Sequence, residues 1–542
     1  MQSVMRGRWT DAAYCAGLAL HGREIERIRR PTEALPRPHV FYALQLLLPA
    51  PGASLTQGPF AASPLNARLT LRRTAHRENR HAPAWRLLRP MSPSPEPSHK
   101  TSLLRRIGSA WLNVVAKLGG TALSFGVYIA LARWMSPEAF AEVVVMLTWL
   151  AIATAFGGLS MPLVVVRHVA ENLAAGQVGV ARGTYRFALA AIVAVSLSLG
   201  GLAVVLAALG WLGSTPGRFM SVTITAALLV PSVVLTVQTG LLQALKQVVL
   251  AELLTNTVRP ILLLIGLGGL WLATRSPLAA STVLAAYLLT ALLLVTALWW
   301  KARQALPAAW RITSPEDNRR AAMHTAMGFM LVMIAAALNE RVDMLLLGAT
   351  GRPEDIGAYA VATRFGQAII VAVNAVSAVM APHFVEQLQA IKDGRTAAAQ
   401  DLVSRTARTT LWLCLLALVF FALLGPWLAA LFGPHYGHAY LPLVVLAGGQ
   451  ALAALFGPAA LACTLAGSPR VAVASLLAGI ATNAVLNLVL VPRFGATGAA
   501  AATACGTVLA AGLSWLRTRQ MLGIDSSVLA SRQSAVITSA AS

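Results

Sequence analysis

Long apolar runs separated by short polar segments make up the chain from about residue 111 to residue 516. Each run has roughly 20 residues, the length of an α-helix that crosses the hydrocarbon core of a bilayer. The pattern predicts twelve spans, at approximately 111–132, 140–163, 187–209, 219–243, 253–273, 278–300, 322–349, 356–381, 409–432, 441–465, 471–491 and 496–516. The fold class that follows is an all-α polytopic membrane protein with short loops.

The first 100 residues do not share this pattern. They are rich in arginine and proline, and their longest apolar run, "VFYALQLLLPA", is too short to cross a bilayer. Met91 opens "MSPSPEPSHKTSLLRRIGSAW", which is typical of a short polar tail before a first span. We therefore predict that 1–100 is a basic, disordered leader and that the true start lies near residue 91; an arginine-rich transit peptide is the alternative.

A weak internal repeat divides the apolar part into two halves. Pro137-Glu138 and Pro353-Glu354 follow the first and seventh spans, and "WWKAR" and "WLRTR" close the sixth and twelfth. Since six spans repeat as six, the halves have the same orientation. The repeat predicts six-helix bundles at 101–303 and 304–520, related by a pseudo-two-fold axis along the membrane normal, with a cavity between them. Residues 521–542 form a cytoplasmic tail.

The composition supports a membrane protein and argues against a nucleic-acid partner. Of the 542 residues, 57% are hydrophobic and 12% are charged, whereas soluble domains have about 25% charged residues. The net charge of +23 comes mostly from arginines in the leader and in the loops, without a nucleic-acid-binding motif. Loop arginines set topology.

The distribution of Lys and Arg predicts the orientation. With both termini in the cytoplasm, most of these residues fall on the inner face. The outer loops then carry only Arg133, Arg218, Arg275, Arg352 and Arg493. By the positive-inside rule we expect a multi-pass membrane protein with both termini in the cytoplasm.

Cofactor and metal motifs are missing from the sequence. The cysteines, Cys15, Cys414, Cys463 and Cys505, have no metal-type spacing, and we expect free, buried thiols. No phosphate-binding GxxxxGK[ST] loop occurs, so a P-loop nucleotide site is not expected. We expect neither a cofactor nor a metal.

Several segments resemble one transporter family. "DMLLLGATGRPEDIGAYAVATRFGQAI" is similar to the second-half signature of polysaccharide-export proteins, in which an acid and an aliphatic cluster precede Gly-x-Tyr-x-x-Ala. The matching residues here are Asp343, Gly348, Gly357, Tyr359 and Ala362. The segments "LLRRIGSAWLNVVAKLGGTALSFGVYIALARWMSPEAFAEV" and "VPRFGATGAAAATACGTVL" resemble the first hairpin and the entry to the last span of the same family. Phe140-Ala141 departs from the Gly-x-Tyr/Phe that is typical in the first half.

The resemblance implies a lipid-linked oligosaccharide flippase of the multidrug/oligosaccharidyl-lipid/polysaccharide exporter superfamily, with spans 1, 2, 7 and 8 beside the pseudo-axis. The charges inside apolar runs fall mostly on these spans, and a charge at membrane depth costs at least ~2.5–3.5 kcal/mol. Candidates for a cationic substrate cavity are Lys117, Arg259, Arg341 and Arg364; candidates for ion coupling are Glu340 and Asp343. Arginine forks suit a diphosphate.

Each of these residues has a structural alternative. Glu340 and Arg341 could snorkel to the outer interface, and Lys117 could reach the inner headgroups. Asp343 could form an ion pair with a neighbour such as Arg364. Asn374, Asn483 and Asn487 are interpreted as interhelical hydrogen-bonding residues rather than as ligands.

The resemblance, together with the cationic residues, implies a non-enzymatic flippase of the bacterial inner membrane that moves a polyprenyl-pyrophosphate oligosaccharide to the outer leaflet for O-antigen, capsule or exopolysaccharide synthesis. Membrane lipids and a polysaccharide polymerase machinery are the expected partners. A drug/cation antiporter of the same superfamily is the first alternative, although it would favour acids without basic partners. A membrane-embedded polymerase or ligase is the second, although it would need a large outer loop.

Overall fold

The computed structural model describes residues 119–211, 215–350, 352–393 and 395–530, and their regular secondary structure is helical. The predicted leader, the first part of span 1 and Lys117 lie outside the described residues. The last residues of the predicted tail, 531–542, lie outside them as well.

The first half contains long apolar helices joined by short turns. Its helices are α1 (119–134), α2 (Pro137–Gly157), α3 (Met161–Val164, Val165–Val169 as a π turn, and Ala170–Ala174), α4 (Val178–Ala208), α5 (Pro216–Ala244), α6 (Val248–Thr274) and α7 (Ala280–Ala305). Ser136 caps α2 by accepting a hydrogen bond from the Ala139 amide at 3.3 Å, and Pro137 fits the first helical position.

A short linker helix leads into the second half. The elements are α8 (Ala309–Ile312), α9 (Arg319–Asn339), α10 (Val342–Thr350), α11 (Pro353–Lys392), α12 (Ala397–Ala430), α13 (Tyr440–Ala454), α14 (Ala459–Leu465) and α15 (Pro469–Leu522). Pro353 begins α11 as Pro137 begins α2, so both Pro-Glu pairs of the repeat start a helix.

Ten helices among the described residues are long and apolar enough to cross a membrane. The longest, α15, has 54 residues and contains one non-helical residue, Gly495, with φ 53°. Thr503 lies 3.5 Å from Asn483 across this break, so α15 is a hairpin whose two arms are predicted spans 11 and 12. Glycine is needed there because a side chain on Gly495 would collide with the Asp355 carboxylate. The count of twelve and the pseudo-two-fold axis stay predictions.

Two predicted spans are interrupted. Span 2 stops at Gly157, where Leu159 and Ser160 have positive φ, and resumes as α3. Span 7 breaks between Asn339 and Val342, so Glu340 and Arg341 lie in a tightened turn between α9 and α10. The charged residues Glu340 and Arg341 in the segment "LNERVDMLLLG" (338–348) therefore mark a break in the helix.

The two halves meet along α1 and α2 on one side and α9, α10 and α11 on the other. Aromatic rings fill part of this seam: Phe125 lies 4.8 Å from Phe365, and Phe140 lies 5.5 Å from Tyr436, between ring centroids. Arg133 Nε donates to the Leu431 carbonyl at 2.7 Å near the same end. These contacts hold the halves together at the ends of α1 and α12.

The chain after α15 packs back onto the second half. Ile524 is fully buried, and the Gln400 side chain donates to and accepts from the Asp525 backbone. Although partial burial raises the pKa of Asp525, hydrogen bonds from Trp515 and Ser527 lower it below its usual value. The described part of the predicted tail is thus a docked segment.

Candidate functional site

A cavity of about 680 Å³ lies among the helices of the first half. Its wall is formed by α1, α2, α3, α5, α6 and α7, and two side chains of the second half, Arg341 and Arg364, complete it. Most of the lining is apolar or uncharged. Its acidic and basic residues are Glu252, Arg259, Arg341 and Arg364. The structure therefore brings three of the four predicted cations together, and Lys117 lies outside the described residues.

Arg259 is held at the start of the regular part of α6. It follows a π turn, Leu253–Val258, and precedes Pro260, which is tolerated at this position because the π turn already interrupts the regular hydrogen bonding. The guanidinium lies 5.5 Å from the ring centroid of Tyr287, and its buried Nε has no hydrogen-bond partner in the part of the chain that the structure describes. A buried donor without an acceptor costs about 1–3 kcal/mol or more. An anion in the cavity would supply that acceptor.

Arg364 reaches the same cavity from α11. Its Cζ lies 3.6 Å from the ring centroid of Tyr128 on α1, a cation–π contact, and its Nη1 donates to Gln367 at 3.1 Å. None of the ion pairs formed within the described ranges includes Arg364. The side chain is therefore oriented by an aromatic ring and an amide, and its charge is not neutralised by a carboxylate.

Arg341 and Glu340 sit at the break between α9 and α10. Arg341 lines both the large cavity and a neighbouring cavity of about 40 Å³, whereas the exposed Glu340 lines only the small one. A helix break inside the membrane is tolerated where the freed backbone is buried in protein or faces water. The break thus lets a charged residue from span 7 reach the large cavity.

Asp343, two residues after Arg341, is buried and lines the small cavity. Its Oδ1 accepts from the Met344 amide at 2.8 Å, and its Oδ2 accepts from the hydroxyls of Tyr359 and of Thr503, the latter at 3.1 Å. Arg364 lines the same small cavity but forms no ion pair with Asp343. The carboxylate is therefore held by three donors from α10, α11 and α15.

A polar network continues from Asp343 into the α15 hairpin. Thr503 Oγ1 lies 3.5 Å from Asn483 Oδ1, and Asn487 Nδ2 donates to the same oxygen at 2.6 Å. Asn483 thus joins the two arms of the hairpin, as its interpretation as an interhelical hydrogen-bonding residue implies. Carboxylate, hydroxyl and amide oxygens are also the ligands that hard cations prefer.

No cluster of three or more His, Cys, Asp or Glu side chains lies within metal-binding distance in the described part of the chain. The cysteines described there, Cys414, Cys463 and Cys505, are free thiols. Cys414 and Cys463 are buried, whereas Cys505 is exposed, so the expected burial is wrong for Cys505.

Sequence reasoning missed the aromatic and hydroxyl partners of the charged residues. Tyr128 and Tyr287 were not singled out, because an aromatic residue in an apolar run carries no signal of its own. Tyr359 was noted only as part of the Gly-x-Tyr motif, and the structure shows that its hydroxyl binds Asp343. Thr503 was noted only as part of the segment "VPRFGATGAAAATACGTVL", without a role of its own. These residues become visible only when α1, α7, α10, α11 and α15 are brought together.

One protein-family model matches more than half of this chain. It is the model of the family described as "Polysaccharide biosynthesis protein", and it covers residues 108–387. This match includes α1 to α10, most of α11, and the residues Arg259, Arg341, Asp343 and Arg364. A search of curated protein sequences found no significant match.

Solved structures share the fold at low sequence identity. A lipid II flippase, MurJ, in an inward closed conformation has a TM-score of 0.60 and 12% identity, covering 75% of this chain and 87% of that one. A multidrug resistance MATE family transporter of the MOP superfamily in an inward-facing conformation has a TM-score of 0.58 and 15% identity, covering 76% and 98%. A MOP superfamily transporter from Pyrococcus furiosus, described as having a binding pocket of reverse polarity, has a TM-score of 0.52 and 15% identity, covering 77% and 95%.

Proposed function

The chain belongs to the polysaccharide biosynthesis protein family, and we propose that it is a flippase of the bacterial inner membrane. In this proposal its cargo is a lipid-linked oligosaccharide, a glycan joined to a polyprenol through a diphosphate. The protein moves this cargo from the inner to the outer leaflet for the synthesis of a surface polysaccharide. The fold shared with a lipid II flippase supports a transporter of this kind.

The convergence of three arginines on one cavity is the observation that carries the proposal. Among the described residues, Arg259 has an unpaired buried donor and Arg364 has no acidic partner. A guanidinium presents parallel N–H donors that match the oxygens of a phosphate. A cavity built in this way favours a diphosphate over a cationic drug, which would require carboxylates without basic neighbours.

The buried carboxylate of Asp343 supports coupling to an ion gradient. An ionisable side chain inside a membrane protein marks an ion pathway in many transporters. Here Asp343 is surrounded by oxygen atoms that can accommodate a proton or a sodium ion, and it lies beside Arg341 and Arg364 at the small cavity. Glu340, which is exposed, is the second candidate for this role.

We propose that both termini lie in the cytoplasm, on the basis of the Lys and Arg asymmetry. In a variant without native cysteines, a cysteine at Gly437 should react with a membrane-impermeant maleimide from outside, and a cysteine at Arg470 only after the cell is opened. Both positions are exposed, and a side chain at Gly437 meets nothing within 4 Å, so neither change should disturb the fold. Labelling of both from the same side would contradict the proposed orientation.

Proteoliposomes provide the test of cargo. Purified full-length protein should move a fluorescent polyprenyl-diphosphate N-acetylglucosamine between leaflets, as measured by the fraction that an impermeant quencher reaches. The same vesicles should not accumulate ethidium, a cationic drug probe. Ethidium uptake without transfer of the lipid-linked sugar would favour the drug/cation antiporter. A polymerase or ligase would instead lengthen or transfer the glycan, which mass spectrometry of the recovered lipid would detect.

A further inference from the structure

Two chemically different groups of side chains line the large cavity. Arg259, Arg341 and Arg364 form the first group. The second group has hydroxyl and amide side chains with one carboxylate: Thr239 and Gln243 of α5, and Glu252, Thr255 and Asn256 of α6. Glu252 is seven residues before Arg259 on α6, with the π turn Leu253–Val258 between them, so the two residues lie roughly two helical turns apart.

Glu252 is positioned by a neighbour on its own helix. Asn256 Nδ2 donates to Glu252 Oε2 at 2.5 Å, one turn along α6. None of the ion pairs in the described ranges includes Glu252, so it is not held by an arginine of the cavity. The carboxylate therefore stays available to hydroxyl donors of a ligand.

The charges of the lining residues that the structure describes match those of a diphosphate alone. Among these residues, three guanidinium groups stand against the one carboxylate of Glu252, which leaves a net positive charge of two. A diphosphate esterified at both ends carries one negative charge on each phosphate, so it would balance that charge. A further negative charge on the sugar would be uncompensated and would meet a carboxylate rather than a cation.

We propose that Thr239, Gln243, Glu252, Thr255 and Asn256 form a subsite for an uncharged sugar of the lipid-linked cargo. The Thr239 and Thr255 hydroxyls donate to the Leu235 and Ala251 carbonyls, so their oxygens accept from sugar hydroxyls, as the carboxylate does. The Gln243 amide can both donate to and accept from sugar hydroxyls. Glu252 binds hydroxyl or N-acetyl N–H donors of the sugar and repels a sugar that carries its own carboxylate. Specificity of this kind depends on a repulsive element as well as on attractive contacts. The inference rests on the proposed flippase function.

The test uses full-length protein in lipid nanodiscs and two synthetic probes, polyprenyl-diphosphate N-acetylglucosamine and polyprenyl-diphosphate glucuronic acid. Wild-type protein should bind the N-acetylglucosamine probe about tenfold more tightly than the glucuronic acid probe, because like charges at partly buried positions repel strongly. Glu252→Gln should reduce this ratio of affinities to about threefold or less. The glucuronic acid probe should bind the variant more tightly, because the glutamine amide does not repel a carboxylate. Asn256→Asp, which adds a second carboxylate, should widen the ratio.

Glu171→Gln is the matched control, because it removes the same charge at a different place. Glu171 is exposed and pairs with Arg167 outside the cavity. This variant should keep the wild-type ratio. Equal affinity of wild-type protein for the two probes, or an unchanged ratio in Glu252→Gln, would overturn the subsite while leaving the flippase proposal intact. Failure of both probes to bind, or binding that is unaffected by Arg259→Ala, would overturn both proposals.

Discussion

Replacing Arg364 by alanine is expected to lower transport of the lipid-linked sugar about 10–100-fold, since a hydrogen bond to a charged group contributes about 1.5–3 kcal/mol. The abundance and the thermal stability of the variant should stay near those of the wild type. Arg364 is only partly buried, and its contacts are a tyrosine ring and a glutamine amide. Its removal therefore leaves no carboxylate buried without a partner.

Arg364→Lys should recover only part of the activity. An ammonium group keeps the charge but not the planar fork that binds two phosphate oxygens and stacks on Tyr128. Transport in proteoliposomes and melting temperature, measured on the same preparations, separate a loss of cargo binding from a loss of folding.

Arg405→Ala is a suitable control, because Arg405 is an exposed arginine of α12 that pairs with Asp401 away from the cavity. It should transport at the wild-type rate. The competing explanation is that Arg364 only neutralises Asp343. In that case Arg364→Ala would lose abundance, and adding Asp343→Ala would restore both abundance and transport. Restored transport in the double variant would exclude a role of Arg364 in binding cargo.

The long apolar helices could be predicted, because an apolar run must have about 20 residues to cross a bilayer as a helix. No comparable rule locates breaks inside a run. Leu159 and Ser160 adopt positive φ, although neither residue type favours it, since the packing of α2 and α3 determines the turn. The break at Glu340 and Arg341 is indicated in the sequence by two charged residues in an apolar run.

The charged residues of the site could be identified from the same physical argument. A charge in an apolar run is costly, so Arg259, Arg341, Asp343 and Arg364 stand out. The role of each depends on its neighbours, which come from distant parts of the chain. Tyr128 is on α1 and Arg364 is on α11, and no spacing rule joins them. The sequence therefore indicates which side chains need a partner, and only the fold shows which partner they have.

Asp343 illustrates this limit. From the sequence, a basic neighbour such as Arg364 was one explanation for the carboxylate. In the structure its oxygens accept from Tyr359, Thr503 and the Met344 amide. An ion pair with an arginine would have favoured the charged form of the Asp343 carboxyl group. A hydroxyl group can rotate, so it can donate to a carboxylate or accept from a carboxylic acid. The site can therefore accommodate more than one state of the carboxylate.

Asp343→Asn is accordingly expected to abolish the stimulation of transport by an imposed sodium or proton gradient. Removing one charged partner of a buried polar contact costs about 2–5 kcal/mol, so binding of the coupling ion should weaken about 30-fold or more. The fold should survive, because the amide has nearly the same shape and the hydroxyls of Tyr359 and Thr503 can reorient toward it. Transport is measured in proteoliposomes with and without each gradient.

Tyr359→Phe should give a smaller effect in the same assay, because the carboxylate keeps its charge and its contacts with Thr503 and Met344. Asp401→Asn makes the same chemical change at an exposed position and should leave gradient stimulation unchanged. If Asp343→Asn still responds fully to a gradient, Asp343 is a structural residue that joins α10, α11 and α15. Glu340→Gln should then lose the response, because Glu340 is the other carboxylate at the small cavity.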